Sequence, residues 1–243
     1  MNLKSSSCVL LLAAAASAHG AFISVSLPGS TQYDGWFDMK RAVYPDYATP
    51  AGGVGNLPSY TSAWPAPFLS NTGSSGDAIF NKVSGSAGFA GAGVYQGGST
   101  ASFTVYDTTA LLNLETIVFQ LEANYDGAPG GAPFRDGVVP TLYLNGGSTG
   151  IPATYTQYLP AAGTYLPTNS IFAYQWDLSA ETASITSFNI DWNGPLSAGQ
   201  ITGMQLNQGS VFSQAVGLPV PEPAAALLGF LSAGLMGMRR RVR

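Results

Sequence analysis

Thr116-Ile117-Val118-Phe119-Gln120-Leu121 places Ile117, Phe119 and Leu121 on one side of an extended chain and Thr116, Val118 and Gln120 on the other. Successive side chains of a strand point to opposite faces, so this period of two predicts a strand that buries one face. The pattern recurs along the chain. Phe103 and Val105 oppose Thr104 and Tyr106, while Leu142 and Leu144 oppose Thr141 and Tyr143. Further on, Tyr174, Trp176 and Leu178 oppose Gln175 and Asp177, and Phe188, Ile190 and Trp192 oppose Asn189, Asp191 and Asn193. One buried and one wet face per strand is the habit of antiparallel sheets.

Turn-forming residues cluster at Asn71 to Gly76, Gly85 to Gly98, Asp126 to Gly137, Asn145 to Gly150 and Asn193-Gly194-Pro195. Only Thr108 to Leu114 has room for a turn or two of helix. The stretch from Tyr44 to Gly76, broken by Pro and Gly, reads as a long surface excursion. With 30 Gly and 16 Pro, 9% charged and 46% hydrophobic residues, the chain is too apolar for disorder and suits many short strands joined by turns. The expected fold is all-β, an antiparallel jelly-roll-like β-sandwich.

The two ends are of another kind. Met1 to Ser7 carries Lys4 as its one charge, Cys8 to Ala16 is apolar, and Ala16-Ser17-Ala18 is an A-x-A site for signal peptidase. Residues 1–18 therefore read as a secretory signal peptide, and residues 19–217 as the body. In the remaining 218–243, Val220-Pro221-Glu222-Pro223 is a stiff extended peptide, since each proline fixes its own φ and pushes its predecessor toward extended backbone. Ala224 to Met238 is free of charge, and Arg239-Arg240-Arg241 follows. As a helix the apolar run is about 22 Å long against a hydrocarbon core of about 30 Å, a short membrane anchor. The arginines favour the cytoplasmic side and leave the body outside.

Pro-Glu-Pro, a short apolar helix and a basic cluster, in that order at the C-terminus, resemble the PEP-CTERM sorting signals; the tail region also goes by the name of an ice-binding protein C-terminal domain. The resemblance implies processing near the motif by an exosortase, an integral-membrane enzyme, in a Gram-negative bacterium of the kind that makes extracellular polysaccharide. It implies transient anchoring in the inner membrane and then release to the cell surface or extracellular matrix. It covers the tail and is silent on the chemistry of the body.

The body's composition narrows that chemistry. Residues 19–217 hold four basic residues (Lys40, Arg41, Lys82, Arg135) against twelve acidic ones, a net charge of −8 that repels nucleic acid and anionic lipid. The only cysteine, Cys8, and the only histidine, His19, fall in or beside the signal. Disulfides, thiolate metal sites, a cysteine nucleophile and a Ser-His-Asp triad are thereby excluded, leaving carboxylate chemistry or none.

Glu122, Asn124, Asp126 and Asp136 flank a Gly- and Pro-rich loop whose hard oxygen donors suit calcium, although the spacing is not that of an EF-hand. Asp34-Gly35-Trp36-Phe37-Asp38, with Asp46 beyond, sets carboxylates beside an aromatic ring as sugar sites do, while large rings of this kind more often fill cores. A glycosidase needs two carboxyl groups facing one cleft. Glu115 and Glu122 are seven residues apart, which on one regular strand sends them to opposite faces. Thr154-Tyr155-Thr156 is a single Thr-x-Thr, too little for an ice-matching plane. The expected function is that of an exported structural or adhesive protein without catalytic residues, with extracellular polysaccharide as ligand. The alternative is a carboxylate-dependent glycoside hydrolase or polysaccharide-modifying enzyme.

Overall fold

The computed structural model describes residues 22–37, 39, 64, 67–90, 93–96, 101–124, 139–159, 169–194 and 199–217. Residues 1–18, expected as a signal peptide, and the C-terminal stretch with its apolar run lie outside the described residues, and among those described no helix is long and apolar enough to cross a membrane. The first strands are β1 (Thr31–Phe37), β2 (Phe68–Leu69), β3 (Ile79–Ser84), β4 (Ala87–Phe89), β5 (Val94–Gln96), β6 (Ala101–Asp107) and β7 (Thr116–Asn124). They are followed by β8 (Thr141–Leu144), β9 (Ile151–Pro152), β10 (Tyr155–Leu159), β11 (Asn169–Asp177), β12 (Phe188–Gly194) and β13 (Gly199–Gly209).

Two sheets form, and every pairing is antiparallel. The seven-stranded sheet runs β10-β11-β7-β13-β5-β4, with β1 also paired to β13; the six-stranded sheet runs β2-β3-β6-β12-β8-β9. One edge of the long β13 serves two partners, β5 over Gly199 to Ile201 and β1 over Gly203 to Gly209. The chain crosses repeatedly between the sheets, so the architecture is the expected all-β sandwich.

Its core is built from the alternating residues read in the sequence. Phe103 and Val105 of β6, Ile190 and Trp192 of β12 and Leu142 of β8 face Ile117, Phe119 and Leu121 of β7 and Tyr174 and Trp176 of β11. All four tryptophans, Trp36, Trp64, Trp176 and Trp192, are buried. Trp64 stacks on Phe89 at 5.2 Å, and Trp192 lies almost parallel to Phe80 at 6.0 Å. Lys82 is buried with these rings, its Nζ donating to the Ala87 carbonyl at 2.8 Å and the Gly85 carbonyl at 3.2 Å. Burial lowers its pKa to about 8.

Three expectations need correction. Gly85 to Gly98, expected as a turn, contains the short strands β4 and β5, joined where the Ala90 N–H donates to the Gly93 carbonyl at 2.7 Å. A Cβ on Gly93 would lie 2.2 Å from the Ile201 carbonyl oxygen, so glycine there permits the close approach of β13. Thr108 to Leu114 makes no helix; it turns at Asn113, whose φ is +58°. The described part of Tyr44 to Gly76 is not a mere excursion, because Trp64 and Phe68 enter the core and Asn71 to Gly76 lines β1. The Asn71 N–H donates to the Gly35 carbonyl at 2.7 Å and the Ser75 N–H to the Tyr33 carbonyl at 2.8 Å.

The expectation of one wet face also fails for β7 and β11. Val118, Gln120 and Glu122, and likewise Ala173 and Gln175, point away from the inter-sheet core yet are fully buried. Two terminal segments cover them: Ile23 and Val25 pack with Ala215 and Val216 over Val118 and Ala173. Glutamine side chains replace a neighbouring strand. Gln120 accepts from the Ile23 N–H at 2.8 Å and donates to the Ile23 carbonyl at 3.0 Å. Gln175 accepts from the N–H groups of Ala215 and Val216 and donates to the Ser213 carbonyl.

Candidate functional site

The six-stranded sheet keeps its outer face clear of these terminal segments, and register decides what that face displays. Asn189 of β12 is paired with Tyr106 of β6 on one side and Tyr143 of β8 on the other. Two residues along, Asp191 lies between Thr104 and Thr141 in the same way. β3 lengthens the rows, with Ile79 opposite Tyr106 and Asn81 opposite Thr104. These side chains are half-buried, so each offers part of its surface to solvent. Strands lie about 4.8 Å apart, which puts Tyr106 and Tyr143 about 10 Å apart across the sheet.

A cleft of about 450 Å³ opens on this face, lined among others by Ser102, Thr141, Tyr143, Asp191, Trp192 and Asn193. That volume lies within the range of about 300–1,000 Å³ usual for small-ligand sites. Ser102 Oγ donates to Asn193 Oδ1 at 2.6 Å and fixes one wall. Asp191 is the one carboxylate on the face among the described residues. The site joins phenol rings, amides, hydroxyls and a single acid, a set that can stack and exchange hydrogen bonds.

The acidic stretch at Asp34 is arranged otherwise than a sugar site. Asp34 and Trp36 share the inner face of β1, and both are buried; Asp38 and Asp46 lie outside the described residues. Asp34 Oδ1 accepts from Ser70 Oγ at 2.8 Å, while its buried Oδ2 accepts no side-chain or backbone hydrogen bond of normal geometry. A Cβ on Gly76 would lie 2.1 Å from that oxygen, so glycine lets the loop close over it. Asp107, at the end of β6 in the opposite sheet, is also buried; it accepts from the Gln208 amide at 2.7 Å and the Thr109 N–H at 2.7 Å. Burial pushes Asp34 up to about 6; the Ser70 hydroxyl and Ala78 amide oppose the rise, and Asp107 and Asp77 reinforce it. Burial raises Asp107 too. Asp34 has the proton affinity of a general acid, but it is sealed from any substrate.

The calcium candidates are only partly visible. Glu122 is fully buried on the outer side of β7, its Oε2 beside Gly203, and Asn124 ends the strand. Asp126 and Asp136 lie outside the described residues. Among the described residues no group of three or more His, Cys, Asp or Glu is arranged to hold a metal. If the loop binds calcium, the ion raises the melting temperature of the full chain and Asp126→Ala combined with Asp136→Ala abolishes that rise. A rise of equal size in the double variant would place the ion elsewhere.

The fold defines a class, the antiparallel β-sandwich, in which, among the described residues, flanking segments cover the seven-stranded sheet and not the six-stranded one. No family model, curated protein or solved structure matches the chain.

Proposed function

We propose that this chain is an exported cell-surface or extracellular-matrix protein with a structural or adhesive role, sorted through its C-terminal signal by an exosortase and directed at extracellular polysaccharide. The observation that carries the sorting half is the order Pro221-Glu222-Pro223, apolar run, Arg239-Arg240-Arg241, behind a body that follows a signal-peptide pattern ending at Ala18. The polysaccharide half is supported by the open face with Tyr106, Asn189 and Tyr143 in one row. A fold alone assigns no ligand; the residues of a site do.

Replacing Pro221, Glu222 and Pro223 by alanine is expected to leave an unprocessed chain in the inner membrane, detected by fractionation and mass. Arrival of that variant at the surface with the wild-type mature mass would overturn the sorting assignment.

A further inference from the structure

We infer that the outer face of the six-stranded sheet is a platform for an uncharged, linear polysaccharide lying across the strands, with Tyr106 and Tyr143 each stacking on a sugar ring. The inference rests on the carbohydrate reading above and gives it a place, a direction and a charge class.

Direction comes from register. Tyr106 and Tyr143 are paired to the same residue, Asn189, so the line joining them runs perpendicular to the strands. Their separation of about 10 Å, two strand spacings, is close to the length of a disaccharide. Rings so placed meet alternate units of an extended chain. The C–H-lined face of a sugar ring is apolar and slightly positive, which suits the electron-rich face of a phenol. Between the rings, Asn189 can donate and accept, and in the adjacent row Asp191 accepts from sugar hydroxyls while Thr104 and Thr141 do both.

Charge class comes from what accompanies the rings. Lys82 is the one basic side chain among the described residues, and it is buried in the core. No described cation is therefore available on this face to a carboxylated or sulfated polymer, and Asp191 would repel one. An uncharged glycan meets no such barrier. The other sheet offers no comparable face over β7 and β11, since the terminal segments cover them.

The test is affinity electrophoresis of the purified full-length chain in native gels containing hydroxyethylcellulose, galactomannan, dextran or alginate. Retardation is expected in at least one of the three neutral polymers and not in alginate. In the matching gel, Tyr106→Ala with Tyr143→Ala should weaken binding roughly tenfold to a hundredfold, as loss of two ring contacts implies. Tyr106→Phe with Tyr143→Phe keeps the rings and should retain most of the retardation, which separates stacking from misfolding. Tyr158→Ala, an exposed tyrosine on β10 of the other sheet, should behave as wild type. Undiminished binding by a folded Tyr106→Ala, Tyr143→Ala variant would overturn the platform and leave the carbohydrate reading intact. Retardation by alginate alone would overturn the uncharged class, and absence of retardation in every gel would remove the carbohydrate reading itself.

Discussion

Trp176→Ala is expected to destabilise the sandwich by about 4 kcal/mol, within the range for truncating a fully buried tryptophan. Trp176 is wholly enclosed on the inner face of β11, in register with Ile117 of β7. Its indole N–H donates to the Ile151 carbonyl at 2.9 Å, and Ile151 belongs to β9 in the opposite sheet. Truncation therefore leaves a cavity and strips a carbonyl of its partner, two costs that add. For a body of this size the melting temperature should fall by roughly 8–16 °C. Trp176→Phe, which keeps most of the volume while losing the bond and part of the ring, should fall between wild type and the alanine variant. A drop of only a degree or two for the alanine variant would mean that the site collapses freely, contrary to its close packing.

Asp34→Asn is expected to make the protein more stable at pH 8 and to flatten its stability between pH 4 and pH 7. The folded-state pKa of about 6 lies above the ordinary 3.8, so the folded protein holds this proton more tightly than the unfolded chain does. The resulting stabilisation is complete below the unfolded value and is lost as pH rises through the folded one. Asp77 and Asp107 lie near enough to act on its charge, and Tyr33 adjoins it on the other side of β1; Asp107, raised by burial, contributes in the same direction. An amide carries no charge to desolvate, and its oxygen can keep the Ser70 hydrogen bond. The gain at pH 8 should be on the order of 2 kcal/mol, while near pH 4, where the wild-type carboxyl is neutral, the amide gains nothing. Denaturant melts across that range measure the slope directly. An unchanged slope in the variant would show that Asp34 is charged in both states.

The sequence pattern was most legible where strands are long and regular. β6, β7, β8, β11 and β12 all follow the alternation visible in the chain, because each must turn one face to a shared core. β2, β4 and β5 are two or three residues long, too short for any periodicity, and their Gly-rich flanks read as turns. The buried outer side of β7 was legible only in part: Val118 and Gln120 are an apolar residue and an amide able to pair with backbone, whereas Glu122, an acid buried on the same side, reads as a residue suited to water. Asp34 was open to the same reasoning, since a spacing of two puts it on the side of Trp36. The tyrosine row was not. It exists because β12 lies between β6 and β8, and that order joins Tyr106, Tyr143 and Asn189 from segments far apart in the chain.

The two covering segments also orient the whole molecule. Ile23 and Val216 share the outer surface of the seven-stranded sheet, and the last described residue, Gly217, is still held there by Gln157 Oε1 at 3.0 Å. Six residues, Leu218 to Pro223, separate it from the apolar run that starts at Ala224, a lead of no more than about 25 Å when extended. A protein moored through its C-terminus would thus be tied on its covered side, with the tyrosine row on the opposite face of the sandwich. Such a tether would bias the tyrosine row away from whatever surface holds the protein.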